Sequence, residues 1–306
     1  MLPEKPWKAD AILRLLARVL ICMFMGTLLA GAITALGMGE GVHSASRAVL
    51  FLTALALLAG ALWVLGRQWQ PQNFGRKLVL VLVCFYGALT LSAFASHLGG
   101  GARAEASPWQ VVIFVCSFQG AAFVLVHGFL RDHQMGWVES FGLGRNWNRA
   151  LMAGCASGLI LVPVGWVLQS GAMAVMERLH FTVHEQEAVE VLRGTAGWGG
   201  RVLLGFAAIL LAPLGEELLF RGILYPVLRQ RGYRWLAWWG TSLFFAGIHL
   251  NLVSFVPLTI LALCLTWLYD RTGNLLAPVA AHIAFNALNF AAFFLGQSFN
   301  PGVASG

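Results

Sequence analysis

Residues 201–228 read RVLLGFAAILLAPLGEELLFRGILYPVL, an apolar run broken by Glu216, Glu217 and Arg221. At 1.5 Å per residue, a helix of this length crosses the ~30 Å hydrocarbon core of a bilayer. A charged side chain at that depth is costly, about 2.5–3.5 kcal/mol each on insertion scales, and such residues mark function by default. Hydrophobicity alone does not put two carboxylates and a guanidinium there. Glu217 and Arg221 are four apart, so on a helix they share a face and can pair. Glu216 is turned about 100° away and is left to face another neighbour. Pro213, four residues before Glu217, removes one helical hydrogen bond, and Gly215 loosens the turn, so a kink is expected at the carboxylates.

The rest of the chain has the same character. Of its 306 residues, 58% are hydrophobic and only 11% charged, against about 25% charged in a soluble domain. Without a polar shell the surface must face lipid. The net charge of +7 would suggest nucleic acid in a soluble protein. Here the basic residues lie between apolar runs, so they report membrane topology, and no nucleic-acid partner is expected. Cys22, Cys84, Cys116, Cys155 and Cys264 each sit inside an apolar run with no CxxC spacing. They read as free buried thiols. The first apolar run, Val19 to Leu36, follows Lys5, Lys8, Arg14 and Arg18. It is longer than the core of a secretory signal and reads as a retained helix.

Apolar runs at 12–36, 48–66, 78–96, 109–130, 150–175, 201–228, 234–250, 253–269 and 275–296 predict an all-α, polytopic transmembrane bundle. The seventh and eighth are short and parted by little more than Asn251, so the expected count is eight to nine. Lys5, Lys8, Arg14, Arg18, Arg67, Arg76, Lys77, Arg131, Arg145, Arg149, Arg229, Arg231, Arg234 and Arg271 fall on one side. Only Arg47, Arg103, Arg178, Arg193 and Arg201 fall on the other. The positive-inside rule then puts the N-terminus in the cytoplasm, and the plasma membrane of a bacterium (the inner membrane) is the expected location. Three regions are expected: a five-span N-terminal region over 1–198, a C-terminal region over 199–296 that gathers the intramembrane polar groups, and a frayed tail over 297–306. Segment 176–200, with Glu177, Glu185, Glu187 and Glu190, reads as a partly helical outer loop.

Two further motifs lie in the C-terminal region. The seventh run holds Phe245-Ala-Gly-Ile-His249, and the ninth holds His282-Ile-Ala-Phe-Asn286, whose polar ends share one helical face. Counting rises from the nearest cytoplasmic charge or turn puts Glu216 about 20 Å deep, His249 about 22 Å, His282 about 12 Å and Asn286 about 18 Å. One shared site is therefore allowed. Taken singly, each group has an ordinary structural reading: a buried ion pair, a core histidine on a backbone carbonyl, an interhelical amide. Phe245 alone reads as packing. The ordered set changes the balance. Glu216-Glu217-x-x-x-Arg221, Phe245-x-x-x-His249 and His282-x-x-x-Asn286 together resemble the three motifs of the CAAX-protease and bacteriocin-processing (Abi) family, which includes the Ras-converting type of CAAX endoprotease. The resemblance covers roughly 200–296 and does not reach the first five spans.

The resemblance implies a conical helical bundle enclosing a polar cavity within the last four spans, and an intramembrane endopeptidase acting on a membrane-tethered protein or peptide. By carry-over, Glu216 is the general base and works with His249 on a water. His282 and Asn286 stabilise the oxyanion, while Glu217 and Arg221 hold the carboxylate helix. The residue types suit this chemistry, since a poorly solvated carboxylate is a stronger base and NH donors hold a developing oxyanion. No cofactor is expected. Zinc on Glu216, His249 and His282 is the alternative, although the chain has no HExxH. Two other readings of the same residues are a non-proteolytic scaffold or immunity protein and a proton-coupled transporter. The lack of inverted repeats weighs against the transporter.

Overall fold

The computed structural model describes residues 5–37, 44–67, 71–98, 108–181, 187–195 and 197–299. Arg103, His184 and Glu185, and the end of the tail over 300–306, lie outside the described residues. Every regular element among the described residues is helical. Among the described residues eight helices are long and apolar enough to cross a membrane: α1 (Ala9–Leu36), α2 (Ser44–Gly66), α3 (Phe74–Leu98), α4 (Gln110–Asp132), α6 (Trp147–Arg178), α8 (Trp198–Gln230), α10 (Leu252–Thr272) and α11 (Leu276–Leu295). Shorter helices are α5 (Trp137–Phe141), α7 (Glu187–Gly194) and α9 (234–247). The chain is a multi-pass membrane protein with the helical-bundle architecture read from its sequence.

The doubtful seventh run becomes α9, which rises only about 21 Å. It ends before His249, and the chain turns through Leu250, whose φ is +51°. Asn251 then caps α10, its Oδ1 accepting from Ser254 N at 3.0 Å and from Ser254 Oγ at 2.9 Å. The cap explains how two apolar runs separated by almost nothing form two helices. Within 176–200, α6 continues to Arg178 and α7 supplies the partly helical piece.

Contacts group the chain into two units, Lys8–Phe129 and Met1–Trp7 with Leu130–Gly306. The first holds α1 to α3 and most of α4. In it α2 packs against both α1 and α3, and Ala35, Ala54, Ala61 and Ala95 are fully buried where the helices approach. Small residues suit such contacts, because in lipid the helices gain from close packing rather than from burying apolar surface.

The second unit holds the polar residues. In it α6 lies directly on α11. A Cβ on Gly154 would stand 2.3 Å from the Ala277 carbonyl oxygen, and one on Gly158 would stand 2.6 Å from that of Ala281. Those two glycines therefore let α6 touch the backbone of the helix that carries His282. Fully buried Asn274 fixes where that helix begins. Its Nδ2 donates to the Arg145 carbonyl at 2.8 Å, and its Oδ1 accepts from Leu276 N at 2.9 Å.

Candidate active site

Helix α8 carries the carboxylates, and it is not a uniform helix. It is α-helical to Phe206, π-helical over Ala207–Leu211, α-helical over Ala212–Glu217, and π-helical again over Leu218–Leu224. Both wide turns stop two residues before a proline. Ala212, ahead of Pro213, donates to the Ala207 carbonyl, and Tyr225, ahead of Pro226, donates to that of Phe220. Each bond runs five residues back. A proline has no N–H, and its ring pushes on the carbonyl of the preceding turn, which favours widening there. The expected kink is thus a pair of π-turns, and Glu216 and Glu217 sit on the short α segment between them.

Glu217 is fully buried and acts as a hub. Arg221 Nη1 donates to Glu217 Oε1 at 2.8 Å, and His282 Nδ1 lies 2.9 Å from the same oxygen. Arg221 Nη2 donates to the Ala262 carbonyl of α10 at 2.9 Å. One carboxylate therefore ties α8 to α11, and its guanidinium partner ties α8 to α10. Glu216 faces away from the pair, its Oε2 3.9 Å from His282 Nε2. His249 and His282 lie against the same Phe245 ring.

Hydrogen-bond chemistry assigns the ring protons. His249 Nδ1 lies 2.7 Å from the Phe245 carbonyl oxygen, which can only accept, so Nδ1 carries the proton and Nε2 is an acceptor in the neutral ring. His282 Nδ1 faces an ion-paired carboxylate and by the same reasoning donates to Glu217. Its Nε2 is left on the Glu216 side. Phe245 packs at the centre of the cluster. Its buried ring meets His249 at 5.0 Å, His282 at 5.8 Å and the Arg221 guanidinium at 4.8 Å. It fills the space between both histidines and the arginine, a role that appears only once three helices are assembled.

Glu216, His249 and Asn286 remain half-buried, while Glu217, Arg221, Phe245 and His282 are buried. Asn286 Nδ2 donates to the Ala208 carbonyl at 2.8 Å, leaving its second N–H unassigned. Asn289, one turn further on, accepts from Trp166 Nε1 at 2.8 Å and donates to the Phe285 carbonyl. It joins α6 to α11 rather than the polar cluster. A groove of about 530 Å³ is apolar and lined by residues including Trp198, Val202, Phe206, Leu210, Phe290 and Phe294. It is not lined by the polar cluster. Among the described residues no group of three or more His, Cys, Asp or Glu is drawn together as a metal-binding set.

Comparison with known proteins bears on the same segment. Residues 198–288 match the model of the type II CAAX prenyl endopeptidase Rce1-like family. The resemblance read from the motifs therefore stands over that segment, and the matched family is one of peptidases. An "Uncharacterized 24.3 kDa protein" of Escherichia coli is 39% identical over 93 residues, which is 28% of this chain and 42% of the relative. The "Uncharacterized protein YpbD" of Bacillus subtilis is 34% identical over 83 residues, 26% of this chain and 40% of the relative. The chain thus spans about two fifths of the length of these curated relatives. No solved structure matches it.

Proposed function

We propose that the chain is an intramembrane endopeptidase that hydrolyses a peptide bond of a membrane-tethered protein or peptide. The observation that carries this is the division within one cluster: a half-buried Glu216 and His249 in front, and a sealed Glu217–Arg221–His282 support behind. Glu216 accepts a proton from a water that His249 Nε2 helps to orient, since Nε2 is free to accept once Nδ1 is held by Phe245. The attack creates an oxyanion. His282, when its Nε2 is also protonated, and the second N–H of Asn286 are the donors that face it. Glu217 does for His282 what a buried carboxylate does for any catalytic imidazole: it fixes the tautomer and the ring's direction. Arg221 holds that carboxylate in place.

No cofactor enters this scheme. Zinc on Glu216, His249 and His282 is the alternative, favoured by the two histidine Nδ1 groups, each held by an oxygen as in metal-bound histidines. The substrate reaches the site from the lipid phase, in the plasma membrane of a bacterium, with the N-terminus cytoplasmic.

The test is cleavage by purified protein in detergent. Glu216→Gln and His249→Ala should each abolish it while the protein still inserts and accumulates, and the double variant should be no worse than either alone. A strong chelator should leave the wild-type rate unchanged. Full activity in Glu216→Gln would remove the base assignment, and activity lost to chelator and restored by zinc would establish the metal alternative.

A further inference from the structure

Ala212 N–H reaches back five residues to Ala207. In that register the next donor, the N–H of residue 213, would serve the Ala208 carbonyl. Residue 213 is proline and has no N–H, so the chain's own register leaves that carbonyl without a donor. In lipid there is no bulk water to satisfy it, and an unpaired backbone carbonyl there is strongly unfavourable. The structure supplies a donor from another helix, the amide of Asn286 at 2.8 Å.

We infer that Asn286 is a positioning residue that substitutes for the hydrogen bond Pro213 cannot make, and so fixes the wide turn that aims Glu216. The inference deepens the peptidase reading above and rests on it for the importance of Glu216. Pro213 is the second residue of the short α segment that ends at Glu217, so Glu216 lies less than one helical turn beyond the repaired break. Asn286 stands four residues after His282 on α11, one turn along the same face. His282 grips Glu217 and Asn286 grips Ala208. The two bonds hold the carboxylate segment of α8 to α11 from both of its ends. Without the upper one, the π-turn can slip into α register, which adds or removes about 100° of rotation between Ala207 and Glu216 and turns the carboxylate from its partners.

The pairing makes a prediction that a purely catalytic asparagine does not. Replacing Pro213 with alanine restores an N–H in register with the Ala208 carbonyl, so Asn286 becomes dispensable for holding the turn. Four proteins in nanodiscs are compared: wild type, Asn286→Ala, Pro213→Ala and the double variant. Two readouts need no substrate. One is hydrogen exchange of the peptide spanning 207–217, and the other is the rate at which dicyclohexylcarbodiimide labels Glu216. Asn286→Ala should speed exchange roughly tenfold, the loss expected for one buried hydrogen bond, and should change the Glu216 labelling rate. In the Pro213→Ala background the same change should alter either rate by about twofold or less. Asn286→Leu replaces Asn286→Ala, and Pro213→Ser replaces Pro213→Ala, if either fails to accumulate. Equal effects of the Asn286 change in both backgrounds, or none in either, would overturn the inference. Neither readout depends on cleavage, so a dead Glu216→Gln enzyme with no rescue in the cycle would sink the positioning role and leave the peptidase reading intact.

Discussion

Arg221→Met asks whether one ion pair holds the carboxylate helix. The Arg221 and Glu217 side chains are 1% and 0% exposed, with Nη1 and Oε1 2.8 Å apart. Methionine keeps much of the volume beside Phe245 but removes the bonds to Glu217 and to the Ala262 carbonyl. Glu217 is then a sealed carboxylate held by His282 Nδ1 at 2.9 Å. Breaking a buried pair from one side costs about 3–5 kcal/mol, or roughly 10²–10⁴ in the folded-to-unfolded ratio. The double variant Glu217→Leu/Arg221→Met removes both charges, and apolar replacement of a whole buried pair is often neutral. It should therefore be more stable than Arg221→Met alone, although it frees the His282 ring. Equilibrium unfolding in mixed micelles, followed by the fluorescence of the chain's 12 tryptophans, measures all three. Arg221→Met within about 0.5 kcal/mol of wild type, the range of ordinary surface substitutions, would refute the hub. So would a double variant less stable than the single.

Gly154→Val should separate α6 from α11, because even its Cβ would stand 2.3 Å from the Ala277 carbonyl oxygen. A stability loss at or above the usual ~1–3 kcal/mol of overpacking is expected in the same micelle assay. Lys5 links the N-terminal segment to the second unit, its backbone N–H donating to Gln230 Oε1 and its Nζ 5.3 Å from the Phe141 ring centre. Burial pushes its pKa down from 10.5 to about 8. Between those values the undocked state binds more protons, so docking should tighten as pH rises from about 8 towards 10.5 and change little below 8. Limited proteolysis near Trp7 reads this, and Lys5→Met should flatten the profile; a flat wild-type profile would contradict the burial. A reporter fused after Arg231 should be cytoplasmic and one fused at Glu187 external, and finding both on one side would remove the proposed orientation.

The bundle was legible because its signals are long: an apolar run of twenty residues outweighs local propensity. The three motifs were legible because charge and imidazole are conspicuous in such runs. What could not be read was which polar groups do the supporting. The sequence offers Glu217 with Arg221 at four-residue spacing, and the structure keeps that pair. Nothing local shows that His282 donates to Glu217, since the two are 65 positions apart. The π-turns had a trace in Pro213 and Pro226, yet a proline alone announces a kink and not its register. That Phe245 packs between both histidines and Arg221 has no local mark either, because a phenylalanine looks the same in any apolar run. Gly154 and Gly158 stand four residues apart, and only the tertiary contact shows that α6 covers the helix of His282.

The central claim is that Glu216 is the base of a peptidase in the membrane. Cells expressing wild type or Glu216→Gln at equal abundance can be compared by membrane proteomics with terminal-peptide mapping. At least one membrane-tethered protein should carry a new terminus in the wild type and remain uncleaved in Glu216→Gln. Identical termini in both, with the variant protein folded and inserted, would contradict the account.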